Sequence, residues 1–267
     1  MEKTTLLSAF GITLIAGLST GLGGALAFHS KTSNKKILSI TLGFSAGVMI
    51  YVSMIEIFAQ AKTTLQHIYG LKLGYWYTTI AFFGGIIVMA LIDKLVPEKE
   101  NPHEFPDVKK IYEEPTSEDL KRMGLFSALA ITIHNFPEGL ATFISTLQDP
   151  SLGISIGIAI AIHNIPEGIA VAVPIYFSTG NKKQAFKYSF LSGLSEPLGA
   201  LIGFTLLRPF INNTLLGMVF SFVAGIMVYI SLDELLPTAE KYGYHHHAIY
   251  GLIGGMAIMA LSLLLTS

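Results

Sequence analysis

Eight apolar runs, at about 5–28, 37–59, 73–96, 123–147, 153–177, 185–207, 214–239 and 248–266, occupy most of this 267-residue chain. A helix rising 1.5 Å per residue needs about 20 apolar residues to cross a hydrocarbon layer roughly 30 Å thick. In lipid the backbone must satisfy its own polar groups, so a run of this kind reads as one helical span. The expected fold is therefore an all-α membrane protein: a single polytopic domain, residues 1–267, of eight transmembrane helices. A content of 51% hydrophobic and 13% charged residues, with a mean hydropathy of +0.57, lies outside the soluble range and agrees with that reading. The lipid bilayer is then a partner by default, and no nucleic-acid partner is expected.

The first run invites a different reading, because Lys3 precedes it and Ala25-Leu26-Ala27 resembles a cleavage site. Its length exceeds the apolar core of about 7–15 residues in a secretory signal, and its sequence returns later in the chain, so it is taken as a span. With eight spans both termini share a face. Thirteen of the 17 Lys and Arg, among them Lys31, Lys35, Lys36, Lys94, Lys182 and Lys241, fall on the opposite face, leaving Lys3, Lys62, Lys72 and Arg208 beside the termini. The positive-inside rule makes the Lys-rich face cytoplasmic and both termini extracytoplasmic, in the plasma membrane (the inner membrane of a bacterium). The 97–121 segment, rich in Pro, Glu and Lys, reads as a solvated cytoplasmic linker.

Three stretches recur in order. Gly17-Leu18-Ser19-Thr20-Gly21-Leu22-Gly23 in span 1 matches Gly193-Leu194-Ser195-Glu196-Pro197-Leu198-Gly199 in span 6. Span 2 has Ala46-Gly47-Val48-Met49-Ile50-Tyr51-Val52-Ser53 and span 7 has Ala224-Gly225-Ile226-Met227-Val228-Tyr229-Ile230-Ser231. Spans 3 and 8 share Gly84-Gly85 with Met89-Ala90-Leu91 and Gly254-Gly255 with Met259-Ala260-Leu261. Offsets of 176, 178 and 170 in one order point to a duplication. Matched spans run oppositely through the bilayer, which predicts a 3+2+3 inverted-repeat bundle around a central pair, the layout of secondary transporters with a mid-membrane site.

The central pair carries the chemistry. His134-Asn135-Phe136-Pro137-Glu138-Gly139 in span 4 and His163-Asn164-Ile165-Pro166-Glu167-Gly168 in span 5 are 29 residues apart, each inside an apolar run. An ionisable group at bilayer depth costs roughly 2.5–3.5 kcal/mol even on an insertion scale, so four of them in a repeated pattern read as functional. Residues four apart share a helix face, which projects His134 with Glu138 and His163 with Glu167; Asn135 and Asn164 lie beside the acids. Each proline removes one amide donor and frees the carbonyl of Ile133 or Ile162. Cysteine is absent, so a converging pair offers only imidazole, carboxylate and amide donors, a set that suits Zn²⁺, Fe²⁺ or Mn²⁺ and not Cu⁺. Glu196, before Pro197 in span 6, adds a third acid where its repeat mate in span 1 is Thr20. Glu138 and Glu167 can each bridge, one ion resting with the histidines and a second with Asn135, Asn164 and Glu196.

The doubled H-N-x-P-E-G, the eight spans and the span 6 acid resemble the Zrt/Irt-like (ZIP) family of divalent-metal transporters, over essentially the whole chain and most closely its bacterial zinc-uptake branch. That resemblance implies import of zinc, often with iron, manganese, cobalt or cadmium, through a two-site centre, with no catalytic cofactor. It assigns His134, Glu138, His163 and Glu167 to one site, and Asn135, Glu138, Asn164, Glu167 and Glu196 to the other. Some relatives replace His-Asn in the span 5 motif, so metal preference does not transfer from them. The long histidine-rich loop of many eukaryotic members is missing here.

Lesser candidates remain. Glu56 is expected near the external mouth and Asp233 with Glu234 near the cytoplasmic one, either attracting cations or serving as hydrated helix ends. Met49 and Met227, at matching repeat positions, read as packing. His245-His246-His247 and His29 fall on the cytoplasmic side as weak acceptor candidates, and His67 and His103 read as loop histidines. Runs such as Gly21-Leu22-Gly23-Gly24-Ala25 suit close helix approach. Two alternatives share the buried ligands: a membrane-embedded zinc or di-iron metalloenzyme, and a cation channel of the same fold. A homodimer is compatible with the sequence.

Overall fold

The computed structural model describes residues 3–28, 34–95, 117–210, 212–241 and 243–266; most of the predicted 97–121 linker, with His29 and His103, lies outside them. The described residues are helical with no strand. Eight long helices succeed one another: α1 Lys3–Leu26, α2 Lys35–Tyr69, α3 Leu71–Leu95, α4 Ser117–Gln148, α5 Pro150–Thr179, α6 Lys182–Leu207, α7 Asn213–Lys241 and α8 His245–Thr266. Seven of them are long and apolar enough to cross a membrane, and α4, at 32 residues, has the length as well.

Local chemistry sets the ends. The side chains of Asn34, Asp149, Asn181 and Asn212 accept hydrogen bonds from the first amides of α2, α5, α6 and α7, and Pro150 occupies the first turn of α5, where no amide is missed. Gly70 (φ 81°) ends α2 in a backbone conformation that an L side chain resists. This stop corrects the apolar boundary near residue 59: hydropathy fell at Gln60 and Lys62, but the helix runs on to Tyr69.

Two departures from regular α geometry fall at matched repeat positions. Val52–Ile57 in α2 and Ser231–Leu235 in α7 are π turns, and in each a serine hydroxyl donates to a methionine carbonyl four residues back, Ser53 to Met49 (2.6 Å) and Ser231 to Met227 (2.7 Å). A third break is in α6, where a turn at Leu194 precedes Pro197, which has no amide to offer the Gly193 carbonyl.

Helices do not pack in chain order. α1, α4, α5 and α6 form one group and α2, α3, α7 and α8 a second, joined mainly where α2 meets α5 and α7 meets α4. The close approaches come in pairs related by the repeat offsets. Gly23 of α1 lies against the Ile165 carbonyl of α5, and Gly199 of α6 against the Phe136 carbonyl of α4. Gly17 and Gly193 face each other's carbonyls, and Gly47 against Leu252 is matched by Gly225 against Phe82. A Cβ at any of these glycines would collide with backbone.

Burial is inverted relative to a soluble protein. Leu264, Leu265, Leu71 and Ile80 lie on the outside, whereas His134, His163, Glu138, Glu167 and Glu196 are fully buried. In α5, 72% of the apolar window is buried against 22% in α8, which makes α5 a central helix and α8 a peripheral one. Two apolar clusters fill the interior. One contains Ala141, Phe143, Ile144, Ile156, Ala159 and Ile160; the other contains Ala128, Ile131, Ile169, Val171 and Ile175. Along both α4 and α5 the hexapeptides fall between the two clusters, forming a polar layer between apolar ones.

Candidate metal centre

Both α4 and α5 run unbroken through Pro137 and Pro166, so the helical spacing holds across each motif. The two motif faces meet, and the pairing is crossed. His134 Nε2 is 3.2 Å from Glu167 Oε2, and His163 Nε2 is 3.5 Å from Glu138 Oε2. Nδ1 of His163 lies 3.1 Å from the Ala159 carbonyl, an acceptor, so Nδ1 carries a proton toward it and Nε2 is the atom turned to Glu138. Ser45 of α2 donates to the His163 carbonyl (3.2 Å) and ties the second helix group to the motif.

The amides are held as a second matched pair. Asn164 donates to the Ala16 carbonyl of α1 (2.9 Å), and Asn135 donates to the Ser192 carbonyl of α6 (3.4 Å); Ala16 and Ser192 are repeat mates. Asn164 also donates to Glu196 Oε1, which brings the span 6 acid into the same layer. The predicted residues His134, Asn135, Glu138, His163, Asn164, Glu167 and Glu196 are all fully buried and share this layer.

Their polar atoms are incompletely satisfied. Among the described residues nine buried side-chain nitrogens and oxygens have no hydrogen-bond partner: His134 Nδ1, Asn135 Oδ1, both Glu138 oxygens, His163 Nε2, Asn164 Oδ1, Glu167 Oε1, Glu196 Oε2 and Thr20 Oγ1. Eight of the nine belong to the seven predicted residues, and each of the seven contributes at least one. An unsatisfied buried polar group costs about 1–3 kcal/mol, more when charged, so such a concentration calls for an occupant that accepts lone pairs. Among the described residues no three His or acidic side chains surround one point at coordinating distance, because imidazoles and carboxylates are turned toward each other.

Of the two sequence readings of Glu234 the structure overturns one. It is not a hydrated helix end: it is 7% exposed, and its Oε2 is 3.9 Å from His134 Nδ1. It belongs to the α7 π turn, which advances the helix by one residue and so rotates the succeeding residues by about 100° relative to a regular 3.6-residue register. Its repeat counterpart Glu56 is half-buried and lines a separate cavity of about 280 Å³ with Gln60, Asp149, Ser151 and Ser155, at the end of the bundle where α4 turns into α5. Met49 and Met227 are packed in the larger apolar cluster. His245 is exposed and paired with Glu240 (2.7 Å), His246 is exposed and His247 half-buried, and none of the three reaches the layer; His67 is exposed.

The match to the family described as ZIP Zinc transporter extends over residues 93–263. Three curated relatives, each called Zinc transporter ZupT, align almost end to end. The one from Streptococcus mutans is 65% identical, over 97% of this chain and 98% of its own length. Those from Chlorobaculum parvum and Clostridium perfringens are 64% and 61% identical, covering 98% and 99% of this chain and 98% of their own lengths. The family is one of transporters, which removes the metalloenzyme alternative. With that match over residues 93–263 and such relatives along almost its whole length, the chain belongs to the ZIP family of zinc transporters.

Proposed function

We propose that this chain carries zinc across the plasma membrane into the cytoplasm, as a secondary transporter alternating around the polar layer between α4, α5 and α6. His134, Glu138, His163 and Glu167 take one ion. Asn135, Asn164 and Glu196 take a second, which shares Glu138 and Glu167. The observation that carries this is the concentration, on those seven residues, of buried polar atoms without a hydrogen-bond partner. Nitrogen and oxygen donors without sulfur suit Zn²⁺ and admit Fe²⁺, Mn²⁺, Co²⁺ and Cd²⁺ as competitors.

Alternation arises from a 3+2+3 inverted repeat with both termini outside. The paired glycine contacts, the matched π turns and the crossed His–Glu pairs all support that duplication. In the resting pairs each imidazole faces a carboxylate of the other helix. A dication exchanges those contacts for coordination and thereby neutralises the acids gathered in this low-dielectric layer. Glu234, beside His134, stands next along the path toward the Lys-rich face. An inside-negative potential contributes about 2.3 kcal/mol per charge per 100 mV, and twice that for a dication.

Uptake of radiolabelled zinc into vesicles containing the purified chain tests this. The wild type accumulates zinc, unlabelled Fe²⁺, Mn²⁺ and Cd²⁺ compete in an order that ranks the substrates, and the Glu138→Ala, Glu167→Ala double variant is inactive. Normal uptake by the double variant would refute the site.

A further inference from the structure

We infer that Thr20 of α1 is a further ion-binding residue: its hydroxyl is a neutral oxygen donor to the transported dication on the Asn135 side of the centre, where the other side has Glu196. This rests on the transport reading above and adds one ligand to it.

The ninth unpartnered buried atom is Thr20 Oγ1. Fifteen serines and threonines are buried among the described residues, and the other fourteen hydroxyls all donate to a carbonyl. Inside a helix a threonine hydroxyl normally bonds the carbonyl four residues back, as Thr13 does to Ala9 and Thr142 to Glu138. For Thr20 that acceptor is Ala16, whose carbonyl already takes the helix's own amide and the side chain of Asn164. The local outlet is therefore used by a residue of the metal layer, and a fully buried hydroxyl is left with its lone pairs free.

The repeat fixes where that hydroxyl stands. Thr20 and Glu196 are mates at an offset of 176, and their surroundings correspond contact by contact. The Glu196 carbonyl abuts Gly139, the last residue of the first hexapeptide; the Thr20 carbonyl abuts Gly168, the last residue of the second. A Cβ on Gly17 would lie 3.3 Å from Glu196 Cβ, and one on Gly193 would lie 2.8 Å from Thr20 Cβ and 3.1 Å from Thr20 Oγ1. Asn164 binds the Ala16 carbonyl and Glu196; Asn135 binds the Ser192 carbonyl, and its own Oδ1 is unpartnered. Thr20 thus stands to Asn135 as Glu196 stands to Asn164. One half of the centre presents a carboxylate and the other a hydroxyl, so the two halves hold an ion with unequal charge and unequal strength.

Zinc binding by the purified full-length chain, measured with its melting temperature without zinc, separates this from a packing role. Thr20→Val keeps the shape and removes the oxygen. Because no hydrogen bond is lost, the metal-free variant should melt at or above the wild-type temperature. Its zinc affinity and the half-saturating concentration for uptake should nonetheless worsen about tenfold, or about 1.4 kcal/mol. Thr20→Ser should stay within about twofold of wild type. Thr20→Ala removes the same oxygen without the valine methyl and should repeat the affinity loss if Thr20→Val misfolds. Unchanged zinc affinity in the valine and alanine variants overturns the inference, as does an affinity loss that tracks a lower melting temperature in the serine variant as well. A wild type that neither binds nor transports zinc sinks the transport reading itself and this ligand with it.

Discussion

Adding one methyl group to Gly139 probes how finely the centre is set by helix packing. Its Cβ would stand 2.5 Å from the carbonyl carbon and the Cα of Glu196, and nearer still to the carbonyl oxygen. Two carbon atoms rest about 3.5–4.0 Å apart, so α6 has to move from α4 by roughly 1 Å. The atoms in the way are backbone and cannot turn aside, and they belong to the residue that supplies the third acid. Metal–ligand distances tolerate only about 0.2 Å, and a misplacement of about 1 Å typically costs on the order of 10²-fold in rate. Gly139→Ala should therefore lower zinc uptake about a hundredfold and destabilise the fold by about 1–3 kcal/mol through overpacking. Gly254→Ala is the control: nothing lies within 4 Å of its Cβ position, and alanine favours the helix by about 0.5–1 kcal/mol. Vesicle uptake at matched protein levels, with thermal melts of both variants, is the assay. Wild-type uptake by Gly139→Ala, or an equal loss in Gly254→Ala, shows that the centre does not depend on the contact between α4 and α6.

Three further outcomes rest on particular contacts. Glu234→Gln removes the charge 3.9 Å from His134 Nδ1 and should cut uptake about tenfold, or about 1.4 kcal/mol, whereas Glu56→Gln on its open cavity should stay within about threefold; the reverse order contradicts the placement of Glu234. Zinc at a hundred times its dissociation constant should stabilise the fold by about 2.7 kcal/mol in thermal melts, and His134→Ala, His163→Ala should abolish that shift; an undiminished shift locates the ion elsewhere. Because the chain has no cysteine, an impermeant maleimide should label Lys72→Cys in intact cells and Lys182→Cys only after permeabilisation; the opposite pattern inverts the topology.

The membrane class and the seven-residue layer were legible because each rests on a signal that survives without coordinates: long apolar runs, and costly groups repeated within them. The recurring glycines were legible in the same way, and their close approaches to carbonyls fall at corresponding positions of the matched stretches. What escaped depends on tertiary geometry. No proline or glycine within Val52–Ile57 or Ser231–Leu235 marks a π turn, since its extra residue is accommodated by neighbouring helices and not by local propensity. Without that turn Glu234, near the end of an apolar run, read equally as a hydrated helix end, the one of its two readings that its burial beside His134 overturns. The α2 boundary erred for a related reason: hydropathy reports where lipid gives way to water, and a helix continues past that point until a residue such as Gly70 stops it. Thr20 was visible only as an uncharged partner of Glu196, because an unpartnered hydroxyl is a property of packing.

The central claim is that the two hexapeptides, with Glu196, grip the ion through nitrogen and oxygen. Zinc-edge X-ray absorption on the zinc-loaded chain measures this directly. The account predicts a first shell of nitrogen and oxygen at about 2.0–2.2 Å, lost in the Glu138→Ala, Glu167→Ala variant. A sulfur shell near 2.3 Å, or a spectrum that the double variant leaves unaltered, would contradict it.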